Sequence, residues 1–377
     1  MINKRRLVRT FKKLVRIDSP SLKEGRVVKY LKKELRALGL RPYLAGRVKN
    51  GEVGNLVADI PGRGMRRPRI LINAHLDTVR PGKNIKPIEK GGYIVSDGTT
   101  ILGADNKAGV SVILEVIRVL VEEERTCPPL RVVFTVAEEI GLFGAKALPE
   151  KVLSADFGIT MDGGDIDGII YKAPSQYNIT AVIHGKAAHA GIHPEEGVNA
   201  IKVAAVAIAK MKFGRIDKET TSNIGVIKGG KATNIIPDEV EVKGEARSHD
   251  FRKLKREVEH MEKTFLKTCA KYRARLKLKV ELCYRAFEVK RSEKLLRMAA
   301  AAVKRAGLKP DIRQTGGGSD ANIFNEAGVP TVIMGAGADR VHTTSERVAV
   351  ADMAKSTEIV LTLLEEMHSW KSSQKKK

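Results

Sequence analysis

Arg69-Ile-Leu-Ile-Asn-Ala-His75-Leu-Asp77 is a short apolar run that stops abruptly on an imidazole and a carboxylate. Such a run reads as a buried strand with a loop at its end. The same pattern recurs on both sides. LRVVFTVAEE (130–139) is a strand ending on Glu138 and Glu139, and FGITMD (157–162) is one ending on Asp162. Between the first two, Asp105 opens the helical stretch GVSVILEVIRVLVEE (109–123). Regular alternation of strand and helix predicts an open α/β sheet. Ligands bind such sheets beyond the carboxyl ends of the strands, where these side chains collect.

Further out, Leu7, Phe11, Leu14 and Val15 recur at helical spacing, and a second helix runs from about Glu24 to Leu38, ended by Gly39. From about residue 173 the pattern changes. YNITAVIHGKAA, SNIGVIKGG, EVEVKGEARS and LKLKVELCYRAFEV read as strands. One helix, GVNAIKVAAVAIAKM, follows the first strand, and another, from about Phe251 to Arg275, precedes the last. This β-α-β-β-α-β order is the ferredoxin-like split unit. After about Val289 the α/β pattern resumes, with the glycine loop Gly316–Gly318, the strand VPTVIMG and a terminal helix; His342 lies just past that strand. The expected domains are therefore 1–173 with 290–377, and an inserted α+β domain over 174–289.

The chain has 377 residues, 42% of them hydrophobic, which suits two domains with real cores. No stretch approaches the roughly 18 apolar residues of a membrane span. The basic start MINKRRLVRTFKKLVRI lacks a continuous apolar segment and a cleavage site, so it reads as part of the mature fold. Cys127, Cys269 and Cys283 are far apart and form no C-x-x-C pair. A cytoplasmic protein with reduced cysteines is expected. The 68 basic and 44 acidic residues leave a net charge of +24. The basic residues are spread along helix faces (Arg5, Arg9, Lys12, then Lys29, Lys32, Lys33, Arg36), and only Lys375–Lys377 form an uninterrupted run. With 5% aromatics there are few stacking platforms, so a solvated surface is favoured over nucleic-acid binding.

The chemistry sits in His75, Asp77, Asp105, Glu138, Glu139, Asp162 and His342. His75 and Asp77 project to the same side of an extended segment. That suits an imidazole that binds metal through one nitrogen and donates the N–H of the other to a carboxylate. Asp105 before a helix is also a common capping residue. Glu138 and Glu139 are adjacent carboxylates that repel unless a cation or solvent relieves them, so taken alone the pair is either a solvated strand end or part of a metal site. They point in different directions, so one can bind metal while the other takes a proton from water. The set as a whole predicts a composite metal centre. Other motifs fail. Gly225–Lys231 has the G-x-x-x-x-G-K spacing of a phosphate loop, but Ala232 replaces Ser/Thr. Ala321 breaks G-x-S-x-G. Gly191 and Pro194 argue against a helix carrying His189 and His193.

AHLDTV, LGADNKAG, VAEEIGLFGA, MDGG, GKAAHAGIHPEEGVNAI, NIIPDEVEVKGEARSHD, TGGGSDANIF and VHTTSE, in this order, resemble the metallopeptidase family that includes peptidase T, carboxypeptidase G and the aminoacylases, and above all its peptidase T-like branch. The resemblance covers nearly the whole chain. It implies that His75 and Asp162 bind one metal and Glu139 and His342 another, with Asp105 between them, Asp77 orienting His75, and Glu138 as general base. It also implies two divalent ions, zinc with cobalt or manganese as alternatives, holding a bridging water. The inserted domain resembles the family's lid, through which many members form homodimers. There His189 matches a residue that reaches the partner subunit's site and steadies the tetrahedral intermediate. Arg247, with Asn234, matches positions that grip a substrate carboxylate, and the glycine loop around Gly317 lets substrate approach the backbone. The expected activity is removal of the N-terminal residue from short peptides. The alternatives are an N-acyl amino acid deacylase or a carboxypeptidase and, more distantly, a non-catalytic nucleic-acid-associated protein.

Overall fold

The computed structural model describes residues 1–367, so the run Lys375–Lys377 lies outside the described residues. The chain forms two compact units. The first holds Met1–Lys172, Glu288–Gln314 and the described residues from Ser319; the second holds Ala173–Phe287 and Thr315–Gly318. The glycine loop thus belongs to the second unit, whereas the sequence pattern alone puts it in the resumed α/β stretch.

The first unit is built on a nine-stranded mixed sheet. Its centre is four neighbouring parallel strands, in the order Leu130–Thr135, Ile70–His75, Phe157–Gly163 and Thr331–Gly335. All residues of Ile70–His75 and Thr331–Gly335 are buried, as expected of parallel strands covered on both faces. The register sets the ligand positions. His75 pairs with Thr135, three residues before Glu138, and Asn73 pairs with Thr160, two residues before Asp162. Neighbouring strands lie about 4.8 Å apart, so their acidic ends gather in one place.

Helix Ala104–Glu122 is buried over most of its surface, including its charged Glu115 and Arg118. Both are paired, as buried charge requires. Glu115 accepts from Arg6 at 2.9 Å, and Arg118 donates to Thr10 at 2.8 Å and to Glu34 at 2.5 Å. These bonds tie it to helices Lys4–Val15 and Gly25–Ala37. The first of these buries Leu7, Phe11, Leu14 and Val15, the residues whose spacing predicts it. A small four-stranded sheet includes the hairpin Ala338–Asp339 and Arg347–Ala349, whose connection carries His342.

In the second unit, strand Ser175–His184 lies between Glu239–Ser248 and Arg275–Tyr284, with Thr220–Gly229 beyond and Gly214–Arg215 at the edge. All these pairings are antiparallel. Helices Ala200–Ala209 and Phe251–Lys271 cover one face through Val203, Ala204, Leu254, Met261 and Phe265 against Ile179, Ala181, Ile183, Val240 and Val242. This is the ferredoxin-like arrangement with one short added strand. Two boundaries differ from expectation. The long helix stops at Lys271 because Arg273 turns left-handed (φ 57°), and the last expected strand ends at Tyr284, with Phe287–Glu288 a separate short piece.

Candidate metal centre

The fold assembles four of the sequence-selected side chains around a fifth, Asp105. His75 Nε2 lies 2.9 Å from Asp105 Oδ1 and 3.4 Å from Asp162 Oδ1. His342 Nε2 lies 3.3 Å from Asp105 Oδ2 and 3.2 Å from Glu139 Oε1. Asp105 therefore turns one carboxylate oxygen to a His75–Asp162 pair and the other to a His342–Glu139 pair. Asp105 sits at the mouth of helix Ala104–Glu122 but is itself extended (φ −80°, ψ 104°), and its peptide bond to Asn106 is cis. His342 lies in a turn at φ 63° and is half-exposed, whereas His75 is buried.

The histidine tautomer follows from its partners. His75 Nδ1 is 3.1 Å from the main-chain carbonyl of Asp77, which can only accept, so Nδ1 carries the proton. In the neutral ring, the form that can bind a cation, Nε2 then carries the lone pair and faces Asp105 and Asp162. The Asp77 carboxylate is the more distant partner of that ring, at 3.5 Å. Its oxygens instead accept from the main-chain N–H groups of Glu138 (2.9 Å) and Glu139 (3.2 Å) and from the Ser21 hydroxyl (2.6 Å). Asp77 thereby joins the strand end that carries His75 to the strand end that carries Glu138 and Glu139.

Without a cation, this cluster draws in protons. Burial pushes Asp162 up to about 7, aided by the charges of Asp105 and Asp320 and opposed by His75. Hydrogen bonds to Asp105 and Glu139 raise His342 to about 10. Burial alone would lower His75, but its bonds to Asp105, Asp162 and Asp77 hold it well above its ordinary value. Glu138, 8% exposed, is driven well above the carboxylate range by burial and by Asp162, Asp320 and Glu139. Excess buried negative charge, with ligand atoms of His75, Asp105 and Glu139 all within 4.8 Å of one another, is the donor set a divalent cation requires. A cavity of about 240 Å³ opens beside it, lined by Asp105, Asp162, Asp165, Asp339 and Arg340 among others.

Four further residues support the cluster. Lys107 is buried; its ammonium donates to the Leu76 carbonyl and to Ser19 Oγ at 2.6 Å. Burial lowers it to about 8, against the pull of Asp77, Glu24, Asp105 and Glu139. Glu24 accepts from the N–H of Ala137 at 2.9 Å. Asp320 accepts from Thr135 at 2.5 Å and from Asn73 at 3.3 Å. Glu346 accepts from the N–H groups of Leu102, Gly103 and Asp105. Sequence reasoning gave these four no role. The one available signal was charge in apolar company, as with Lys107 before the run AGVSVILEVIRVLV.

His189, Asn234, Arg247 and Gly317 lie on the second unit. His189 is exposed; its Nδ1 accepts from Gly191 N–H at 3.2 Å, which leaves the proton on Nε2. The Asn234 carbonyl accepts from Ala190 at 3.0 Å. Arg247 is not a free fork. Its Nε and Nη2 are both 2.9 Å from the Glu245 carboxylate, and its Nη1 donates to the Gly316 carbonyl at 3.4 Å. Gly318 lies against Tyr284, where a Cβ would fall 2.1 Å from the ring, while Gly317 meets only Thr315 Oγ1, at 3.8 Å.

The model of peptidase family M20/M25/M40 matches residues 71–366. The uncharacterised protein YqjE of Bacillus subtilis is 38% identical over 369 residues, which span 97% of this chain and 99% of that protein. The crystal structure of aminopeptidase PepT from Bacillus cereus superposes with a TM-score of 0.85 at 41% identity, covering 97% of this chain and 99% of that one. A tripeptidase from Staphylococcus aureus superposes with a TM-score of 0.88 at 40% identity, covering 97% and 98%.

Proposed function

The chain belongs to peptidase family M20/M25/M40, and on that premise we propose that it is a metal-dependent tripeptide aminopeptidase that cuts the N-terminal peptide bond of short peptides. The observation that carries the metal chemistry is the division of the Asp105 oxygens between the His75–Asp162 and His342–Glu139 pairs. The similarity to an aminopeptidase PepT and a tripeptidase, each at about 40% identity, supports the choice of peptide bond.

His75 and Asp162 would hold one divalent ion, Glu139 and His342 a second, and Asp105 would be shared. Paired ions lower the pKa of water and stabilise a developing oxyanion; zinc suits imidazole and carboxylate donors, as do cobalt and manganese. Glu138, buried beside the ligands yet not paired with either histidine, takes the proton of the attacking water on its carboxylate and returns it to the leaving amine nitrogen. Asp77 keeps the two ligand-bearing strand ends in register. The free Nε2–H of His189 suits an oxyanion. Arg247, Asn234 and the open backbone at Gly317 suit the substrate's carboxyl end, with Glu245 orienting the guanidinium. Exposed Ile192, Ile201, Ile227, Ile235 and Leu266 on the second unit support a homodimer through that unit, which sedimentation would test. Cys127 and Cys269, both buried and in no disulfide, support a cytoplasmic location, to be checked by cell fractionation.

The deciding experiment compares a free tripeptide with its N-acetylated and C-terminally amidated forms, with and without chelator. The expected result is release of the N-terminal amino acid from the free peptide only when metal is present, with acetylation abolishing turnover. Preference for the acetylated form would make the chain a deacylase. Release of the C-terminal residue would make it a carboxypeptidase.

A further inference from the structure

We infer that Glu346 is a positioning residue that binds the two halves of the metal centre into one, by holding the main chain of residues 102–105 so that Asp105 presents one oxygen to each half. This rests on the two-metal reading above. Glu346 is 1% exposed. Its Oε2 accepts the N–H groups of Leu102 and Gly103, both at 2.7 Å, and its Oε1 accepts that of Asp105 at 2.9 Å. These donors lie at the start of helix Ala104–Glu122, where intrahelical acceptors are missing and negative charge is favoured. They are also the donors that a non-helical Asp105, following Gly103 at φ +72°, leaves to be satisfied.

The main chain of the same residue closes the segment that carries His342. The Glu346 N–H donates to the Thr343 carbonyl at 3.2 Å, and the flanking residues Asp339 and Arg347 are paired in the hairpin. One carboxylate therefore fastens the His342 turn to the Asp105 turn, across 241 residues of sequence. The distances that depend on it are short and opposed: Asp105 Oδ1 to His75 at 2.9 Å and Asp105 Oδ2 to His342 at 3.3 Å. Shifting the Asp105 main chain along that line lengthens one contact as it shortens the other. A carboxylate, unlike an amide, can meet three N–H donors on two oxygens without presenting a donor of its own. Glu346→Gln puts an NH2 against at least one of those N–H groups, and Glu346→Asp keeps the charge but withdraws it by one methylene.

The test strips the full-length protein of metal and titrates it with cobalt(II) in buffers of defined free-ion concentration. Bound ion is read by elemental analysis and the visible spectrum, and folding by circular dichroism. The wild type is expected to take two ions. In E346Q and E346D at least one ion should bind about 10- to 100-fold more weakly, with an altered cobalt spectrum, while the metal-free fold is retained. If both folded variants take two ions within twofold of wild type, Glu346 is only a cap for the helix and the inference is overturned, whatever their stability. If the wild type itself takes fewer than two ions, the two-metal reading fails first and the inference falls with it.

Discussion

Glu138 and Glu139 are adjacent in sequence but differ in surroundings. Glu139 Oε1 faces His342 at 3.2 Å, whereas Glu138 lies buried among Asp162, Asp320 and Glu139. Glu138→Gln should therefore leave metal content unchanged and lower kcat by about 10²- to 10⁴-fold, the usual worth of a general base. Elemental analysis beside tripeptide turnover checks this, and activity within tenfold of wild type would remove Glu138 from the mechanism. Lys107→Met tests a different role. The substitution leaves the Leu76 carbonyl and the Ser19 hydroxyl without their buried ammonium. A loss of about 1–3 kcal/mol in urea unfolding is expected for such unsatisfied groups. At this scale the candidate ligands stood out because each stands where an apolar run gives way to an acid or imidazole. Ser21 and Glu346 did not, since their partners lie 56 and 241 residues away and no local pattern announces them.

Helix Ala104–Glu122 and strand Phe157–Gly163 approach so closely at Gly109 that a Cβ there would fall 2.2 Å from the Met161 carbonyl. The strand's next residue is Asp162, and Asp105 sits at the N-terminal end of the helix. Gly109→Ala must push the helix from the sheet, with an expected destabilisation of about 1–3 kcal/mol and weaker metal binding, measured by denaturant titration and chelator competition. Asp250→Ala is the matching control: Asp250 caps helix Phe251–Lys271 by accepting from Arg252 and Lys253 at 2.7 and 3.1 Å. Its loss should cost about 1 kcal/mol without changing metal content; a change would mean that this helix also shapes the centre. Element order was readable because hydrophobic periodicity is local. The places where elements end depended on single residues such as Arg273, whose left-handed turn stops a helix that its sequence would allow to continue.

Across the whole molecule, a cluster of buried carboxylates costs stability unless protons or cations offset it. Chelation should therefore abolish peptidase activity and lower the melting temperature. Readdition of metal at 100 times its Kd should restore about 2.7 kcal/mol. Unchanged melting with and without chelator would mean that the folded chain holds no ion at this site. The sequence by itself determined the parallel sheet with acidic strand ends, the ferredoxin-like insertion and the residue types of the candidate metal centre. All of these are written in short-range apolar patterning and in quoted motifs. Only the tertiary structure decided that Asp105 divides its oxygens between two histidines, that Asp77 secures the next strand more closely than it holds the His75 ring, and that Arg247 is already engaged by Glu245. The reason is physical: strand register and long-range hydrogen bonds set distances of a few ångströms between residues far apart in the chain, and periodicity carries no information about them.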